Sequence, residues 1–164
     1  MQHHKTTRAV LGLSLILLTA LGVCSAQDKM DPKAAAANLV ALLEKSGHNY
    51  TKVKDGVWQI NFTGDNLKDF SVRLALGDNI LVTMARLADR KELKLEPALL
   101  TKLLELNHSF DSVKLALSED MLYVRMDTHL RILDTQELKY VIDQMSGATD
   151  EIYPQIKKFI VDAK

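Results

Sequence analysis

The sequence predicts an α+β fold in which helices pack on one face of an antiparallel β-sheet. Three observations carry that expectation. Through the middle of the chain, apolar and polar residues alternate with the period of a half-buried strand. Short turns rich in Gly and Asp separate consecutive strand-like runs, so sequence neighbours pair antiparallel. Helical runs before, between and after the strands each carry one apolar stripe, which needs cover on that side. The predicted order is α-β-β-β-β-α-β-β-α-α.

The elements follow one by one. Asp31-Pro32 opens a helix, with Asp as N-cap and Pro at the first helical position. Leu39, Leu42 and Leu43 form its stripe and Gly47 closes it as a left-handed cap. Residues 50–54 and 57–63 flank Asp55-Gly56, a tight hairpin dipeptide. Trp58, Ile60 and Phe62 take the inward phase of the second strand, and Phe70, Val72, Leu74 and Leu76 that of the third. Gly77-Asp78-Asn79 turns the chain into a run over residues 80–87, whose inward phase reads as Ile80, Val82 and Met84. Glu96-Pro97 opens a helix striped by Leu99, Leu100, Leu103 and Leu104. A second hairpin places Val113, Leu115 and Leu117, then Leu122, Val124 and Met126, inward around Ser118-Glu119-Asp120. Asp134 and Glu137 form a capping-box start, Leu138, Val141, Ile142 and Met145 follow at helical spacing, and Gly147 is read as the stop. Ile152, Ile156, Phe159 and Ile160 make a last stripe, with Pro154 near its start.

The N-terminus bears on location. Lys5 and Arg8 precede a short apolar run, and Cys24-Ser25-Ala26 supplies small residues before Gln27. That pattern is a secretory signal peptide over residues 1–26, cleaved after Ala26. The run is shorter than the roughly 20 apolar residues of a membrane span. Leu21-Gly22-Val23-Cys24 is also similar to a bacterial lipobox, although Val23 stands where that pattern wants a small residue. Cleavage leaves one domain, residues 27–164, exported to the periplasm or the exterior and without a membrane span.

Composition narrows the chemistry. Of 21 basic and 21 acidic residues the leader removes two bases, so the mature domain is slightly acidic. It has no basic stripe interleaved with aromatics, which argues against nucleic acid as the partner. Cys24 is the single cysteine and belongs to the leader, so the mature domain has no disulfide, thiol nucleophile or thiolate ligand. His48, His108 and His129 fall at element ends without metal-ligand spacing. Neither a G-x-S-x-G elbow nor a glycine-rich phosphate loop occurs. The sequence therefore points to no catalytic residue, cofactor or metal.

The run from Leu103 to Ile156 does resemble a known family. Its features are Leu106-Asn107 closing a helix, then Phe110, a hairpin with an acidic turn, Leu133-Asp134 opening a helix, and Tyr153-Pro154. These are similar to the YbjN-like family, regarded as bacterial sensory transduction regulators with a type III secretion chaperone-like fold. The resemblance implies that fold and a habit of pairing with other chains or with itself. Secretion chaperones are cytosolic dimers that hold an extended partner along apolar patches, a task closed to an exported chain.

The expected function is thus a non-enzymatic protein-interaction domain whose partner is unidentified, with a homodimer as one arrangement. Two alternatives are a periplasmic carrier holding an apolar ligand near Trp58, Phe62 and Met126, and a hydrolytic enzyme with a loop-built site. The candidate partner face is the second face of the sheet, where the phase assignment puts Leu81, Ala85 and Leu87 with Val57 and Ala116. The leader reading has a direct check. The intact mass of the exported protein is expected to begin at Gln27, and a lipidated Cys24 in its place would show that the lipobox governs processing.

Overall fold

The structure, a computed structural model, describes residues 31–161. The expected signal peptide and the short segment after it lie outside the described residues. Helix α1 (Pro32–Ser46) starts where Asp31 accepts a hydrogen bond from the Lys33 amide at 3.1 Å, and ends at Gly47 with φ 80°. Strands β1 (Tyr50–Lys54) and β2 (Val57–Phe62) form a hairpin through Gly56, whose φ of 71° suits glycine. Strands β3 (Phe70–Leu76) and β4 (Ile80–Asp89) follow, then α2 (Pro97–Ser109), β5 (Lys114–Leu117), β6 (Met121–His129) and α3 (Thr135–Ile156). The sheet order is β1-β2-β3-β4-β6-β5, antiparallel throughout.

The last two expected helices are one. Asp134 caps α3 as expected, its carboxylate accepting from the Glu137 amide at 2.8 Å. Gly147 does not stop it. A mid-helix glycine costs about 1 kcal/mol relative to alanine. Against that stands one stripe running through it: Leu138, Val141, Ile142, Met145, Ala148, Ile152 and Ile156 are all buried. Each large member contributes about 1.5–3 kcal/mol by burial, so the helix runs on through Pro154 and ends at Ile156.

All three helices lie on one face of the sheet, over two adjoining cores. One gathers Leu39, Leu43, Trp58, Ile60, Leu74 and Leu81 under α1 and the start of α3. The other gathers Val72, Ala85, Leu99, Leu122, Val124 and Ile152 under α2 and the rest of α3. This arrangement corrects the reading of β4. Leu81, Ala85 and Leu87, expected on the second face, are 0%, 1% and 7% exposed and belong to these cores. Val82 and Met84 take the other face, half-buried.

The reason is the length of the β3–β4 connection. A three-residue turn would have paired Leu76 with Ile80. Instead the Gly77 amide donates to the Ile80 carbonyl at 2.8 Å, and Leu76 pairs with Leu81 across four residues. One added residue exchanges the two faces of a strand. At the far end a bulge between Arg86 and Ala88 lets Leu87 and Ala88 both be buried.

Two side chains pin loops through backbone groups. The Asp150 carboxylate on α3 accepts from the amides of Leu67 (2.7 Å), Asn66 (2.9 Å) and Asp65 (3.1 Å), fixing the β2–β3 loop. A side chain at Gly64 would collide with that carboxylate, so the loop requires glycine there. At the opposite edge Asn107, in the last turn of α2, grips β5. Its Oδ1 accepts from the Leu115 amide at 2.7 Å and its Nδ2 donates to the Leu115 carbonyl at 3.1 Å. Lys114 completes the joint by donating to the carbonyls of Phe110 and Asn107 at the end of α2.

The face assignment predicts unequal costs on β4. Leu81→Ala is expected to lose about 2–5 kcal/mol, whereas Met84→Ala loses only a small part of that. Denaturant melts compare the two, and equal losses would mean that the phases are misassigned. The Asp150 clamp predicts a pH dependence. The Leu67 amide foremost, then those of Asn66 and Asp65, hold the carboxyl below its ordinary value against a desolvation penalty. A carboxyl depressed in the folded state adds stability above its unfolded value, and that stability fades as pH falls through the folded value. The stability gap between parent and Asp150→Asn is therefore expected to be flat near neutrality and to close below about pH 4, read from melts across a pH series.

Candidate functional site

With the described helices on one side only, the sheet has a second face made of the outward phase of each strand. The cross-strand register sets its rows. Val57, Ala75, Val82 and Asp127 stand in one row across β2, β3, β4 and β6. Gln59, Arg73, Met84, Arg125 and Lys114 stand in the next, reaching β5. Arg86, Tyr123 and Ala116 stand in a third. Val57 and Ala116, expected on this face, do lie on it, half-buried. Leu81, Ala85 and Leu87 are separated from them by the thickness of the sheet.

The polar side chains of the face are largely engaged with one another. Arg125 donates to both carboxylate oxygens of Asp127, at 2.8 and 2.9 Å. That bond, with the Asp127 charge and Tyr123 adding to it, raises the guanidinium above its ordinary value. Arg86 donates to Asp89 at 2.7 Å. Arg73 donates to Gln59 at 3.3 Å, and Gln59 to Asn61 at 2.9 Å. The result is a flat lattice of paired groups around small apolar patches, rather than a cleft with converging unpaired donors.

Among the described residues no group of three His, Cys, Asp or Glu is placed to hold a metal ion. Trp58 borders a groove of about 750 Å³ between the start of α1 and the two hairpin turns. Phe62 borders another, of about 530 Å³, beside the β2–β3 loop, where it stacks on Phe70 at 5.6 Å. Met126 lines neither. No described helix is long and apolar enough to cross a membrane.

One apolar feature was placed inside the core by sequence pattern and is outside it. Leu99, Leu103 and Leu106 carry the buried side of α2, while Leu100 and Leu104 are 49% and 71% exposed. Residues four apart share a helix face, so the pair forms a short apolar ridge turned away from the sheet. A signal was available. The line through Leu99 and Leu103 continues to Leu106, whereas the line through Leu100 and Leu104 continues to His108 and stops being apolar.

No family model matches the chain, and no curated protein matches it in sequence. Solved structures do match in shape. The type III secretion chaperone SycH of Yersinia pestis, in complex with a YscM2 fragment, gives a TM-score of 0.47 at 16% identity, covering 70% of this chain and 96% of that one. The HopA1–SchA chaperone–effector complex gives 0.49 at 16% identity, covering 74% and 91%. YbjN from E. coli, a proposed transcription regulator, gives 0.58 at 14% identity, covering 75% and 91%. At that identity the likeness speaks to architecture, and the architecture of this chain is YbjN-like.

Proposed function

We propose that the chain is an exported, non-enzymatic protein-interaction domain. The observation that carries this reading is the Leu100–Leu104 ridge. Leu100 and Leu104 stand one turn apart and are 49% and 71% exposed, on a helix whose Leu99, Leu103 and Leu106 are buried on the other side. Grouped on one helix face, the exposed pair offers the apolar surface that contact with another protein would use. Neighbouring solved structures include chaperones in complex with protein partners, and the leader pattern of residues 1–26 supports work outside the cytoplasm.

The experiment uses the mature chain and its Leu104→Asp variant. Because the side chain is exposed, the variant's stability is expected to stay within about 0.5 kcal/mol of the parent. A charge buried without a partner in an interface is costly, so association through the ridge is expected to weaken at least about tenfold. Sedimentation across a concentration series reads self-association, and a photo-crosslinker at position 104 in the exporting cell reads a different partner. A monomeric parent that also yields no protein adduct from position 104 would sink the proposal. Fractionation of the same cells tests export, and a protein retained in the cytoplasm would remove that half of it.

A further inference from the structure

We propose that Thr83 and Thr128 together hold one buried water molecule at the seam between the two cores. Thr83 is 0% exposed and Thr128 4% exposed, and both hydroxyls lie in the interior without a hydrogen-bond partner among the described residues. The other buried hydroxyls among the described residues are satisfied locally: Ser46 donates to the Leu43 carbonyl at 2.7 Å and Thr149 to the Met145 carbonyl at 2.6 Å. The two strand threonines are the exceptions, and an interior hydroxyl left unpaired costs about 1–3 kcal/mol.

Their positions are related. Thr83 pairs with Met126 and Thr128 with Leu81 in the β4–β6 ladder, so the threonines are diagonal neighbours on the face beneath the helices. Diagonal neighbours on an antiparallel pair stand about 7–8 Å apart, somewhat less between Cβ atoms. Across that span the two hydroxyls are too far apart to bond directly, and a single water is the size of bridge that would join them. They also lie on the boundary between the cores. Along β4, Leu81 belongs to the α1 core and Ala85 to the other, with Thr83 between them. Along β6, Met126 belongs to one core and Leu130 beyond the strand to the other, with Thr128 between. Packing from both sides meets here, and a polar pair at such a joint suits a water, which can donate to one hydroxyl and accept from the other.

The test is a cycle of Thr83→Val, Thr128→Val and the double variant, with the parent examined directly. If a water links the hydroxyls, either single change strands the remaining one. Each single variant is then expected to lower the urea midpoint, and the double to lie well above the sum of the two losses. Single variants that each raise the midpoint, adding in the double, would overturn the proposal by showing two dry, independent hydroxyls. Water-to-methyl cross-relaxation in NMR gives a second readout on the unaltered protein. Signals from one long-lived water to the methyls of both threonines are expected, and their absence overturns the proposal whatever the variants do.

Discussion

A sheet covered from one side obliges every strand to give one side-chain phase to the helices and the other to solvent. In this chain that obligation passes from strand to strand through the register, because partners across an antiparallel ladder share a face. Trp58 and Ile60 point at the helices, so Leu74 and Val72 opposite them do as well, and Leu81, Thr83 and Ala85 after them. Helix α3 then lies over both cores, and its single stripe of buried residues joins the α1 half of the molecule to the α2 half.

How much of this was legible depended on whether local chemistry and global packing agreed. At Asp31-Pro32, Gly47 and Asp55-Gly56, cap or turn chemistry and periodicity point the same way, and the elements begin and end as expected. At β4 both phases are apolar, so pattern alone could not choose between Ile80-Val82-Met84 and Leu81-Ala85-Leu87. The choice rested on whether three or four residues join β3 to β4, a matter of one hydrogen bond at Gly77. Gly147 misleads for another reason. Its local preference for a helix end is real and is outweighed by a stripe whose continuity shows only over five turns. Asp150 reaching the β2–β3 loop and Asn107 reaching Leu115 are tertiary contacts with no periodic trace.

The candidate surface followed the same division. Val57 and Ala116 were placed by simple alternation and fall on the open face. The exposed Leu100–Leu104 ridge escaped because four leucines at 99, 100, 103 and 104 look like one broad stripe until the sheet beneath α2 selects its half. A YbjN-like architecture leaves that surface free to vary, since fold and site are set by different residues. The architecture rests on Trp58, Leu74 and Ile142, whereas the proposed contact ridge, Leu100 and Leu104, is exposed and lies outside both cores.

The grip of Asn107 on Leu115 has a consequence for growth. A β-sheet with two open edges can add strands at both and extend without limit. Here the carboxamide occupies, as a strand would, the amide and carbonyl at the middle of β5. That margin is a dead end. The β1 margin carries a different device, a bulge between positions 52 and 54 with a lysine at each, which discourages strand addition. Among the described residues both margins of the sheet thus carry a feature that opposes edge-to-edge growth.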